Sequence, residues 1–180
     1  MSKWASPGVS ESSDQYPAWM IGLHWLTAAL VITAYLTSES SKSGRVNPPF
    51  VHLVAGLAVL GLTIPRLITR LFGGGLPSTG ATQGISSSGH AVIYFLLVAV
   101  PMTGWFAVSR LGVHVTLLCF HLPFLTAPVT GPPGMISNVH QVGGNLLLII
   151  AGFHAALALW NFFRVRDTTL QRMLPFLRQR

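Results

Sequence analysis

The sequence predicts an all-α integral membrane four-helix bundle with both termini in the cytoplasm, and three observations carry that reading. Of 180 residues, 51% are hydrophobic and only 8% are charged, whereas soluble domains carry about 25% charged residues. Four runs of about 20 apolar residues, long enough to cross a hydrocarbon core, alternate with linkers richer in Gly, Ser and Pro. The basic residues are spread unevenly about those runs.

The first run, roughly Trp19 to Thr37, contains no charge. A polar leader, residues 1–18, precedes it and no small-residue cleavage site follows, so it reads as a retained span and not a signal peptide. The second run extends from Phe50 to Phe72, with Arg66 and Arg70 confined to its last part. The third, His90 to Ser109, is interrupted by Pro101, and the fourth is Val139 to Phe163. Pro65 and Pro101 read as kinks, which membrane helices tolerate better than soluble ones. Residues 38–49 and 73–89 read as loops. The linker over 110–138 contains VHVTLLCFHLPFL, an apolar run too short to span and so expected to be interfacial or re-entrant. The organisation expected is thus a leader (1–18), one helical domain (19–163) and a basic tail (164–180), with no internal repeat.

Orientation follows from the cations. With both termini on one side, that side holds Lys3, Arg66, Arg70, Arg164, Arg166, Arg172, Arg178 and Arg180, and the other holds Lys42, Arg45 and Arg110. Eight against three places the termini in the cytoplasm. The net charge of +7 does not indicate nucleic-acid binding, because the long uncharged runs cannot form a soluble basic surface. The arginine-rich tail is most simply an anchor to anionic lipid. A single cysteine, Cys119, excludes an internal disulfide and a cysteine-ligated cluster.

The seven histidines are sorted by depth. His24 lies early in the first span and His154 late in the fourth, so both fall near the inner boundary. His52 opens the second span and His140 the fourth, both on the outer side. His140 and His154 are fourteen residues apart, close to four helical turns, which puts them on one face about 21 Å apart along the axis. Polar groups inside a membrane are costly and mark function by default, although a single histidine bonded to a backbone carbonyl would be unremarkable. Four residues after each of the four comes a small residue: Ala28, Gly56, Gly144 or Ala158. These would leave room for a flat macrocycle on the same face, or allow close helix packing. Paired histidines with no carboxylate in any span suit haem better than zinc, which takes more ligands. Two axial imidazoles fill both open positions of haem iron and suit it to electron transfer.

IGLHWLTAALV, VHLVAGLAVLGLTIPRLITR, HAVIYFLLVAVPMTGW, VHQVGGNLLLIIAGFHAALALW and the tail segment RDTTLQRMLPF, in that order over about residues 16–176, resemble the bacterial cytochrome b561 family. The resemblance implies a four-helix b-type cytochrome of the bacterial inner membrane with two haem b groups. His24 and His154 would be axial ligands of the cytoplasmic-side haem, and His52 and His140 of the outer one. Family members studied as superoxide oxidases take electrons from superoxide at the periplasmic face and reduce ubiquinone. Others carry electrons between quinol and partner proteins. The outer linkers here hold only Lys42, Arg45 and Arg110, with His114 and His121, a modestly basic surface for steering an anion.

Further residues stand as accessory candidates. Arg66 and Arg70 match carboxylate geometry and would serve as haem-propionate partners, or as snorkelling anchors. His90, taken to open the third span, would contact a propionate or quinone, or cap a solvated helix end. Trp19, Trp105 and Trp160 fall near span ends, as an aromatic belt requires. Two other readings remain at this point: a haem-bearing anchor that relays electrons for a partner enzyme, and a histidine-lined metal or proton transporter.

Overall fold

In the computed structural model, which describes residues 16–38, 48–72, 83–117, 120–131, 134–165 and 169–174, four long helices dominate. They are α1 (Ala18–Ser38), α2 (Phe50–Phe72), α3 (Gln83–Arg110) and α4 (Met135–Trp160). Each carries a segment long and apolar enough to cross a membrane. Large apolar side chains such as Phe95, Val142, Phe153 and Phe163 face outward, as expected where lipid replaces water. Lys3, Lys42, Arg45, Cys119, Arg166, Arg178 and Arg180 lie outside the described residues.

Prolines start the first two helices. Pro17 and Pro49 accept from Met20 and Leu53 through their carbonyls, and their fixed φ suits the first turn. Helices α2 and α3 continue through Pro65 and Pro101. A glycine ends α3: the N–H of Gly112 donates to Ser109 O and that of Val113 to Val108 O, with Gly112 at φ 68°. That pair of hydrogen bonds around a left-handed residue closes the last carbonyls of the helix.

Helices α1 and α2, α2 and α3, and α3 and α4 pack side by side in up-and-down order. Their buried core is a layer at mid-height built from Val59, Leu96, Leu97 and Leu147, flanked by Leu30, Val31, Tyr94 and Val100. Leu147 lies seven residues from both His140 and His154, so this layer is an apolar waist between the two histidine levels. The buried hydroxyls of Thr27, Thr63 and Ser109 each donate to the carbonyl four residues back, which satisfies them without a partner helix.

Three boundaries differ from the sequence reading. α3 begins at Gln83, not at His90, so Gln83–Gly89 is helix and His90 sits two turns inside. α4 begins at Met135 after Gly134 at φ 77°, so His140 lies on the second turn instead of at the opening. It ends at Trp160 and passes into a π-helical turn, Asn161–Val165. The apolar run after α3 is a two-stranded antiparallel hairpin, β1 (Thr116–Leu117) with β2 (Phe120–His121), followed by a loop held to α3. Trp105 Nε1 donates to Pro123 O at 3.1 Å, the Leu125 N–H to Ser109 Oγ at 3.1 Å, and the Val129 N–H to Arg110 O at 2.9 Å. Trp105 therefore has a specific partner besides any interfacial role. Ser109→Ala removes the acceptor of the Leu125 N–H, and a loss of about 1–3 kcal/mol is expected for such a group left unpaired. Faster limited proteolysis of the 111–131 loop, with spans intact, would register it.

The tail also has structure. A short helix, α5 (Thr169–Met173), follows α4, and Trp25 Nε1 donates to Met173 O at 3.0 Å. The tail thus rests against α1 as well as carrying charge.

Candidate functional site

Two histidine groups stand on either side of the waist. At the end away from the termini, His52 on α2 and His140 on α4 have ring centroids 5.8 Å apart with planes at 90°. His52 Nδ1 bonds Ala34 O on α1 at 2.8 Å, and His140 Nδ1 bonds Val100 O on α3 at 2.9 Å. A carbonyl can only accept, so both Nδ1 atoms carry the proton and both Nε2 atoms keep their lone pairs. A histidine that donates Nδ1–H to a backbone carbonyl is oriented and made more basic for metal binding at Nε2. Each of the four helices contributes one element: two rings and two carbonyls.

The spacing accommodates an ion. Metal–imidazole bonds of about 2 Å, with about 1 Å from nitrogen to ring centre, would set trans ring centroids roughly 6 Å apart. A Cβ added at Gly56 or Gly144 would meet nothing within 4 Å, so no side chain fills the space beside these two glycines. At this end the residues fit a six-coordinate haem.

At the end where the termini lie, His24, Arg66, His90 and His154 form one group near enough to interact electrostatically. Arg66 Nη2 donates to His24 Nδ1 at 3.1 Å. The rings of His90 and His154 meet edge to face at 4.9 Å. Arg66 and Arg70 both lie over the Tyr94 ring, 5.6 and 5.7 Å from its centre. The earlier helix start thus places His90 beside His154 and not at a solvated helix end. Because Arg66 donates to its Nδ1, neutral His24 carries its proton on Nε2, so as placed it offers no lone pair there. The fit to haem is therefore incomplete at this end unless Arg66 turns away.

His114 and His121 are exposed in the distal loop, His114 against Phe124 and His121 Nδ1 within 3.0 Å of Thr116 Oγ1. Among the described residues, no hydrogen bond or ring contact joins either of them to the His52–His140 pair. Among the described residues, no three His, Cys, Asp or Glu converge on a common metal position. Two features were not visible in the sequence: the carbonyls of Ala34 and Val100, and the approach of His140 to α3. Only the neighbouring helix supplies them.

Four membrane-length apolar helices with histidines gathered at two depths have the makings of a membrane redox carrier. Residues 15–176 match the family described as prokaryotic cytochrome b561, and the chain belongs to that family. A probable superoxide oxidase CybB of Yersinia pestis is 27% identical over 179 residues, covering 89% of this chain and 96% of the relative. Cytochrome b562 of Cereibacter sphaeroides is 28% identical over 174 residues, with coverage of 88% and 94%. Cytochrome b561 homolog 1 of Escherichia coli is 27% identical over 173 residues, with coverage of 90% and 98%. The protein is accordingly a multi-pass membrane electron-transfer protein of the b-cytochrome type.

Proposed function

We propose that the protein is a dihaem superoxide:ubiquinone oxidoreductase of the bacterial inner membrane, with its termini cytoplasmic. His52 and His140 hold the outer haem, and His24 and His154 the inner one. The reading rests above all on the His52–His140 pair, whose two backbone hydrogen bonds leave both Nε2 atoms available as ligands. The name of the Yersinia pestis relative supports superoxide as donor.

Bound at these positions, b haems supply one-electron carriers. Overall, two superoxide ions are oxidised to two O₂, and one ubiquinone takes the two electrons with two protons to become ubiquinol. The protein's own groups hold the geometry: Ala34 O and Val100 O fix the outer imidazoles, and the apolar waist excludes water between the two levels. At the inner level, Arg66 would have to leave His24 Nδ1, and could then pair with a haem carboxylate, for His24 to carry its proton on Nδ1 and offer Nε2. Arg70 shares the Tyr94 ring with Arg66 and stands one turn further along α2.

A superoxide pulse given to purified oxidised protein tests the reading. The haem bands are expected to shift to the reduced form, to reoxidise on adding a ubiquinone analogue, and to stay oxidised when superoxide dismutase is present. No spectral change with the pulse would remove superoxide as donor. Retention of haem with electron exchange only through a co-purifying protein would favour the second reading, an electron-relay or anchor subunit working between quinol and a partner. The relatives named only as cytochromes support that alternative.

A further inference from the structure

The outer histidine on α4 is seated by a residue of another helix. A Cβ placed on Gly104 of α3 would lie 2.8 Å from His140 Cε1, 3.1 Å from Nδ1 and 3.5 Å from Nε2. The first distance is closer than real Cβ atoms come, and the atom it meets is part of a rigid ring whose Nδ1 is tied to Val100 O at 2.9 Å. Cε1 lies between the two ring nitrogens, so no small rotation clears a methyl group while keeping Nδ1 on its carbonyl and Nε2 where it is. The other glycines around this pair behave differently. Gly56 and Gly144 face open space, and Gly143 would touch only the tip of Val100, at Cγ2 3.1 Å away.

We propose that Gly104 is a positioning residue for the outer haem: its missing side chain is the recess that holds the His140 ring against α3. Gly104 makes no bond to the cofactor and acts through His140. Helix α3 thereby both supplies the carbonyl that orients the ring and removes the side chain that would displace it. The crossed arrangement of the two rings, with planes at 90°, depends on that seat. Crossed axial imidazoles leave the two iron dπ orbitals that they overlap nearly equal in energy, so a ferric haem held this way gives a widely spread low-spin paramagnetic resonance signal. Parallel rings narrow that spread.

This inference rests on the proposal that His52 and His140 ligate a haem, and the experiment separates the two. Wild type, His140→Ala, Gly104→Ala and Gly143→Ala are purified, haem is counted per chain, and ferric resonance spectra and midpoint potentials are recorded. Gly104→Ala is expected to lose the outer haem, or to keep it with a narrowed or high-spin signal and a shifted outer potential. Gly143→Ala, on the same α3–α4 seam, is expected to retain both haems and both signals. The inner haem reports folding in each sample. Should Gly104→Ala yield no protein, the wild-type spectrum still decides: absence of a widely spread signal from the haem that His140→Ala removes would overturn the crossed seat. Two unaltered haems in Gly104→Ala would overturn the proposal, and equal loss in Gly143→Ala would assign the effect to general helix packing. Retention of both haems in His140→Ala would instead refute the ligand assignment beneath it.

Discussion

His140→Ala is expected to reduce haem from two per chain to one, and His154→Ala to do the same by removing the other. On the proposed ligation, each substitution deletes one of a pair of donors from a half-buried position that no carboxylate of the spans can fill, because the spans contain neither Asp nor Glu. At the outer level it also removes one of two side-chain donors to Val100 O, the Thr103 hydroxyl remaining, and opens a void between α3 and α4. Both costs add to the lost iron bond, and altering just an outer-shell partner commonly costs 10–100-fold in metal affinity. A reduced-minus-oxidised spectrum and a potentiometric titration would show one low-spin component where the wild type shows two. His90→Ala serves as the discriminating control, since the His90 ring lies 4.9 Å from that of His154. If His90→Ala removes the inner haem and His154→Ala spares it, His90 is the ligand and the assignment of that level changes. If both single substitutions of the fourth-helix histidines spare both haems, the dihaem arrangement is wrong.

Arg66→Gln is expected to lower the midpoint potential of the inner haem while leaving the outer one in place. A fixed cation near the iron favours the reduced state, which carries one positive charge fewer. Were the guanidinium about 8 Å from the iron, at an effective dielectric constant of about 20, that interaction would amount to about 2 kcal/mol, or roughly 90 mV for one electron. Arg70→Gln should produce a smaller shift, because Arg70 is exposed to screening whereas Arg66 is half-buried and reaches His24. Glutamine keeps a donor at the position, so haem content should hold. A redox titration resolving the two haems would measure the shift. An unchanged inner potential would mean that Arg66 serves α2 as a membrane anchor and not the cofactor.

Much of this architecture follows from composition, because a chain with long uncharged runs has few places to put them other than a bilayer. The extent of α2 is legible to the residue for that reason, with prolines before Phe50 and arginines at its far end. The depth pairing of His52 with His140 is legible too, since helical rise converts residue number into height. The first turns of α3 are not. Gln83–Gly89 reads QGISSSG, a composition of poor helix formers, yet it extends the apolar helix that follows. That misreading put His90 at a helix end instead of beside His154. The hairpin after α3 was hidden because its apolar run carries no two-residue turn signal of the Asn-Gly kind. Gly104 was hidden for another reason. It is one of eighteen glycines, and nothing along its own helix distinguishes it until α4 brings an imidazole against it.

The apolar waist has an electrical consequence. Val59, Leu96, Leu97 and Leu147 separate the two histidine levels by low-dielectric apolar packing, so that with haems at both levels, as proposed, an electron would tunnel across it while ions are held back. A charge moved between them crosses about 21 Å of a roughly 30 Å core. Since a full crossing is worth about 2.3 kcal/mol per 100 mV, this step senses about 1.6 kcal/mol at that voltage, roughly a fifteenfold change in how one electron is shared. The energised state of the cell would then bias where the electron rests, and the protein would act as a voltage-sensitive divider as well as a wire.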